Sequence, residues 1–181
     1  MTSDIVISPC TEWRGNLSGV FIPRLCRPTL TQNGTGYALA EDYDRIKSQI
    51  RAGLRICAHE KIQYIVVAGF GLGPCDRNPP QMLAEIWREV ICDPILSGRI
   101  EAVAFVLRDS SWSTSKRIAD EIAQKSGYEF RGQSTTTLTD YEILKRVFSV
   151  KEVQRLHSKF NISVAPHRVN THGEAVRSRK T

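Results

Sequence analysis

The sequence predicts an α/β fold with a largely parallel sheet, and three observations carry the prediction. Two runs, Tyr64 to Ala68 and Ala102 to Leu107, are apolar throughout, as expected of strands covered on both faces. Around them lie segments with an apolar residue every third or fourth position, the spacing of a one-sided helix. The first run also feeds a glycine-rich loop and a helix start, Gly69-Phe70-Gly71-Leu72-Gly73-Pro74-Cys75-Asp76-Arg77-Asn78-Pro79-Pro80. Strand, glycine loop and helix in that order suit an anion site, because glycines admit a ligand to the backbone and helix-terminal amides face it.

Taken in order, Asp4-Ile5-Val6-Ile7-Ser8 before Pro9 and Val20-Phe21-Ile22 before Pro23 read as short strands, with Thr11 to Asn16 a loop between them. Arg24 to Gly36 is an irregular connection ending in the turn Asn33-Gly34-Thr35-Gly36. From Glu41 to about Ala58, residues Tyr43, Ile46, Ile50, Leu54 and Cys57 line one face of a helix. After the glycine loop, Asn78 is placed to cap and Pro79 or Pro80 to take the first helical position. Leu83, Ile86, Trp87 and Val90 then form the buried face of a helix that ends before Pro94.

The second apolar run is followed by a polar loop from Ser110 to Ser115 and a short helix carrying Ile118, Ala119, Ile122 and Ala123, closed by Gly127. Thr139-Asp140-Tyr141-Glu142 has the pattern of a capping box, and Ile143, Val147, Val150, Val153 and Leu156 continue one helical stripe. Helix, strand, helix, strand from Glu41 to Leu107 implies parallel pairing through right-handed crossovers. The chain thus divides into an α/β domain over 1–137, an amphipathic helix over 138–160 and a basic, disordered tail over 161–181.

A chain of 181 residues holds one domain of ordinary size, and 41% hydrophobic with 24% charged residues is a globular composition. No apolar run approaches the roughly 20 residues of a membrane span, and Met1-Thr2-Ser3-Asp4 lacks the pattern of a signal peptide. The expected setting is cytoplasmic or nuclear. Cys10, Cys26, Cys57, Cys75 and Cys92 are scattered with no paired spacing, which fits reduced thiols and no metal site. Asn16-Leu17-Ser18 and Asn33-Gly34-Thr35 match the glycosylation pattern but read better as turns.

The net charge of +6 sits at one end. From Lys145 onward nine Lys and Arg face two acids, a net of +7, which leaves 6 − 7 = −1 for the first 144 residues. The body is nearly neutral, so the tail is solvated or meets an acidic partner weakly, without the interleaved aromatics of a nucleic-acid interface.

Two nucleotide motifs compare poorly with the loop. A dinucleotide fingerprint needs its third glycine where Pro74 stands, and a Walker loop needs a Gly-Lys-Ser or Gly-Lys-Thr that is absent. A tight turn without ligand is the plain alternative, although three glycines with Pro79 and Pro80 exceed what such a turn needs. His59 follows a helix end, and His157, His167 and His172 fall in the basic segment without ligand spacing. Ser110, Ser111, Ser113 and Ser115 follow a strand end, where parallel sheets place ligands, but no nucleophile elbow surrounds them. Trp87 reads as core, whereas Trp13 and Trp112 lie in loops and are candidates to stack on a base. Glu12 and Asp76 are loop acids that could enter a pocket, and each reads better as a solvated acid or a cap.

The loop resembles that of the microbial-type poly(ADP-ribose) glycohydrolases, whose members carry a strand, Gly-Ala-Trp-Gly-Cys-Gly, an aromatic residue and Asn-x-Pro before a helix. The counterpart here is Ala68-Gly69-Phe70-Gly71-Leu72-Gly73 and then Pro74-Cys75-Asp76-Arg77-Asn78-Pro79, in a likeness running from about Trp13 to Phe105. It implies a macrodomain-like, three-layer α/β/α fold, incomplete on its N-terminal side. It also implies an ADP-ribose pocket using Gly69, Phe70, Gly71, Leu72, Gly73, Pro74, Cys75 and Asn78. Gly71 and Gly73 would approach the diphosphate and Phe70 would support the loop. No further cofactor or metal is implied.

The chain departs from the family in three places. Ala68 stands at the first glycine, Cys75 or Asp76 at the flanking aromatic, and the loop is one residue longer. The triple-glycine and Gln-Glu-Glu stretch that serves glycosidic cleavage is absent, so the catalytic residues are unassigned. The expected partner is ADP-ribose or an ADP-ribosylated protein, with no membrane. The alternative is a non-catalytic interaction module or truncated paralogue, whose sheet another chain completes in an oligomer.

Overall fold

A twenty-residue helix, α1 (Ala40–His59), buries Ile46, Ile50, Leu54 and Cys57 along one side, as their spacing requires. The computed structural model describes residues 6–9, 18–107, 109, 111–126, 137–159 and 168–170. Ahead of α1, β1 (Val6–Pro9) and β2 (Ser18–Phe21) pair antiparallel. After it come β3 (Tyr64–Ala68), α2 (Pro80–Ile91), a 3-10 turn (Pro94–Leu96), β4 (Ala102–Val106) and α3 (Thr114–Ser126). The chain continues through α4 (Asp140–Val147), α5 (Val150–Lys159) and β5 (Arg168–Asn170). The fold is α/β: β3, β4 and β5 form a parallel sheet in that order, with Tyr64 beside Ala102 and Ala102 beside Arg168.

One core joins this sheet to its helices. Val67 of β3 and Val103 and Phe105 of β4 pack with Ile46, Ile50 and Leu54 of α1, and with the apolar faces of α2 and α4. Rings run through it in sequence: Phe70 lies edge-on to Trp87 at 5.7 Å, Trp87 to Phe105 at 5.4 Å, and Phe105 tilts on Phe148 at 5.0 Å. Across the α1–α2 seam, Lys47 pairs with Glu89 at 2.6 Å and Arg51 with Asp93 at 3.2 Å. These partly exposed pairs fix register more than they stabilise, at about 0 to 1 kcal/mol each.

The strands differ from the expectation of cover on both faces. Val67, Val103 and Phe105 are buried, but Tyr64 is 68% exposed, Val66 70% and Val106 48%. Among the described residues the helices cover one face only, so the third layer of an α/β/α sandwich is not seen there. The alternation buried in an unbroken apolar run gave no sign of which face would stay open. Among the described residues β3 is also an edge strand, and a groove of about 510 Å³ separates it from β2.

Three local expectations change. Asn78 does not cap α2, whose N-cap position is Pro79 with no side-chain bond; its amide is drawn into the core instead. The single stripe over 138–160 is two helices, because the chain leaves helical geometry at Phe148 and Ser149, where the Phe148 ring turns in against Phe105. Within the basic segment, Arg168–Asn170 forms a strand on β4, where backbone pairing requires no apolar side chain. The capping box is present as read: Thr139 Oγ1 accepts from Glu142 N at 3.1 Å, and Thr139 N donates to Glu142 Oε2 at 2.8 Å. Trp13, Glu12, Ser110, Cys10, Gly127 and the rest of the tail lie outside the described residues.

Candidate functional site

All three loop glycines take left-handed backbone, with φ of +52° at Gly69, +76° at Gly71 and +99° at Gly73, so side chains there would be strained. Their surroundings divide them into two kinds. A Cβ on Gly71 would lie 2.9 Å from Leu83 Cδ2 and 3.1 Å from Asn78 Nδ2, whereas Cβ atoms on Gly69 and Gly73 would meet nothing within 4 Å. Gly71 therefore serves packing, and Gly69 and Gly73 leave open space.

Asn78 holds the loop shut from beneath. It is fully buried, and its Nδ2 donates to Gly71 O at 2.9 Å and Leu25 O at 3.0 Å while its Oδ1 accepts from Tyr37 Oη at 3.0 Å. Burial pushes the Tyr37 phenol well up, which keeps it a donor. Asp76, 3% exposed, ties the same loop to the 24–27 segment: its carboxylate accepts from Arg24 at 3.4 Å and from the Cys26 thiol at 3.3 Å, and its carbonyl accepts from Arg27 N at 2.7 Å. The hydrogen bond to Asp76 is also the main reason the Cys26 thiol is raised.

Above the loop, beyond the C-terminal ends of β3 and β4, lies a cleft of about 580 Å³. This is where parallel sheets receive ligands. Gly69, Leu72, Gly73 and Pro74 form one wall, and Leu107, Asp109, Trp112 and Asp140 form the other. The two walls are joined through Thr114, which is fully buried: Gly73 N donates to its Oγ1 at 3.0 Å, and that hydroxyl donates to Asp140 Oδ2 at 2.6 Å. Thr114 N donates to Asp140 Oδ1 at 2.8 Å, so both carboxylate oxygens are engaged.

The two acids differ in character. Burial raises Asp140, partly offset by its bonds from Thr114. Asp109 is exposed and held lower by hydrogen bonds from Ser111 Oγ and N, at 2.7 and 2.8 Å. It is the ionised acceptor of the site. Trp112 carries the Arg117 guanidinium 5.1 Å from its ring centroid, and its indole Nε1 is buried without a hydrogen-bond partner among the described residues. No Lys or Arg is among the described residues of the lining. The amides of Gly69, Leu72 and Gly73 already donate to Val106 O, Gly69 O and Thr114 Oγ1, so this loop offers an anion fewer free donors than its glycines suggest.

Of the residues read from sequence, Gly69, Leu72, Gly73 and Pro74 meet at the cleft, together with Trp112. Phe70, Gly71 and Asn78 face the core, and Cys75 is exposed and outside the lining. The sequence alone does not mark Asp109, Thr114 and Asp140 as site residues. The capping-box pattern had placed Asp140 at the first turn of a helix, but nothing in its spacing points back to residue 114. Among the described residues no cluster of His, Cys, Asp and Glu could hold a metal ion, and no helix is long and apolar enough to cross a membrane. Comparison with family models, curated proteins and solved structures finds no match.

Proposed function

We propose that this chain binds ADP-ribose or a related nucleotide diphosphate in the cleft over the glycine loop. The observation that carries the reading is one juxtaposition: the open backbone of Gly69 and Gly73 faces an indole, Trp112, and an ionised acceptor, Asp109, across a cavity of nucleotide size. Trp112 offers a surface for the base, Asp109 accepts from ribose hydroxyls, and the glycines let the diphosphate approach the main chain. The resemblance to the microbial-type poly(ADP-ribose) glycohydrolases points to the same ligand. Binding without glycosidic cleavage is the reading, because Asp140 is fully engaged by Thr114 and the family's Gln-Glu-Glu stretch is absent.

Calorimetry with ADP-ribose tests this. Heat of binding is expected, with Gly73→Glu abolishing it and Trp112→Ala weakening it about tenfold, within the roughly 1–3 kcal/mol worth of one base stack. Absence of heat at millimolar ligand sinks the proposal. Release of ADP-ribose from a modified protein above the buffer rate would overturn the non-catalytic part alone.

A second reading rests on the open sheet face. Tyr64, Val66 and Val106 expose apolar surface beside a strand edge that is unpaired among the described residues, a surface suited to association. Sedimentation of a strictly monomeric species at high concentration would remove it.

A further inference from the structure

The segment from Arg27 to Gln32 and helix α3 enclose a second cleft, of about 790 Å³. Pro74 of the glycine loop lines the first cleft and Arg77 of the same loop lines this one. Arg27, Arg77 and Lys125 stand around it against a single acid, Glu121, over a floor that includes Ile118 and Ile122. Arg77 is 15% exposed, pairs with Glu121, and is oriented by its Nε, which donates to Pro74 O at 3.2 Å. That pairing leaves the positive charge of Arg27 and Lys125 without an acid among the described residues of the lining.

The cations are held together at a cost. Arg27 and Arg77 both adopt left-handed backbone, with φ of +50° and +55°, a conformation worth about 1–2 kcal/mol of strain for a residue with a side chain. The Arg27 N to Asp76 O bond of 2.7 Å fixes these two strained residues against each other across the two loops. Burial first, and then the like charges of Arg27 and Arg117, oppose the charge on Arg77. A fold that concentrates guanidinium groups in this way, with one neutralising carboxylate among the described lining residues, is preorganised for a multiply charged anion, and guanidinium matches the geometry of phosphate oxygens.

We propose that this cleft is a phosphate site, separate from the nucleotide cleft, which takes a diphosphate or longer phosphate chain between Arg27, Arg77 and Lys125. The anion would bridge the 27–32 segment to α3, while the Arg77–Glu121 pair already ties α3 to the glycine loop. It follows that occupancy stiffens the far side of the glycine loop. The proposal stands whether or not the first cleft takes ADP-ribose.

The test is titration of the full chain with inorganic pyrophosphate and, separately, ADP, in the Gly73→Glu background and in Trp112→Ala should the first fail to fold. Pyrophosphate should bind, and Arg27→Gln with Lys125→Gln should weaken it at least about tenfold, as expected for two lost charged hydrogen bonds. A charge-matched pair on exposed positions elsewhere, Arg45→Gln with Arg99→Gln, should leave affinity within about twofold at fixed salt. Equal affinity for pyrophosphate and ADP assigns recognition to the phosphate chain alone, and tighter ADP binding adds the Ile118 and Ile122 floor. Equal loss in both charge pairs, or no pyrophosphate binding at millimolar concentration, overturns the site.

Discussion

Thr114 and Asp140 are bound to each other twice, through the Thr114 hydroxyl at 2.6 Å and its backbone N–H at 2.8 Å, and the same hydroxyl accepts from Gly73. One buried side chain therefore sets the distance between the glycine loop and the start of α4. Thr114→Val should leave Gly73 N and one Asp140 oxygen unpaired and cost about 2 to 4 kcal/mol, whereas Thr114→Ser keeps both bonds and should cost less than about 1.5 kcal/mol. Urea melts of the two variants check this, and equal losses would deny the relay its role.

Asp140 gives a pH signature with a definite sign. Its folded value is raised above the ordinary 3.8, chiefly by burial, so its contribution is fully present below the unfolded value and is lost as pH rises through the folded one. Stability of the native chain relative to Asp140→Asn should therefore fall as pH is raised from about 3.8 toward neutrality. Parallel stability profiles for the two proteins would contradict the assignment.

The glycines separate stability from binding. Gly71→Ala combines left-handed strain with a 2.9 Å approach to Leu83 Cδ2 and should cost about 2 to 4 kcal/mol. Gly69→Ala meets no neighbour and should cost about 1 to 2 kcal/mol from backbone strain alone. Thermal melts of the two should differ in that order.

Asn78→Ala removes three side-chain hydrogen bonds of a buried amide, to Gly71 O, Leu25 O and Tyr37 Oη. A loss of about 3 kcal/mol or more is expected, together with faster amide exchange at Gly71, since orphaned carbonyls and a cavity remain. Tyr37→Phe, which leaves the two Nδ2 bonds, should lose about 1 kcal/mol.

Cys26 is exposed, and its hydrogen bond to Asp76 holds the thiol above its ordinary value. Alkylation of Cys26 near neutral pH should be slow for an exposed cysteine and should quicken in Asp76→Asn. Peptide-resolved labelling rates measure this directly.

Periodicity and apolar runs make α1, α2, β3, β4 and the Thr139 cap legible in the sequence, because each depends on residues near one another in the chain. The open face of β3 was not legible: Tyr64, Val66 and Val67 are all apolar, and which of them is covered depends on where distant helices pack. The cleft was half legible for the same reason. Its glycine wall is contiguous in sequence, while Asp109, Trp112 and Asp140 reach it only because β4 runs parallel to β3 and Thr114 binds a residue 26 positions away. Asn78 shows the reverse error, since a residue type that favours caps was taken inward by a carbonyl, Leu25 O, that no local pattern reveals.

The rings that run from Phe70 through Trp87 and Phe105 to Phe148 set Trp87 apart from Trp112, and with Trp13→Phe these two of the chain's three tryptophans become separate optical channels. Trp87 is 3% exposed and flanked by aromatic edges on both sides, so its emission should be blue-shifted in the native state and should follow global unfolding. Trp112 sits under a guanidinium at the mouth of the cleft, where added charge or a stacked base changes its quenching while leaving Trp87 untouched. In Trp13→Phe, collisional quenchers that reach Trp112 and not Trp87 would let ligand entry be followed in the same cuvette as folding.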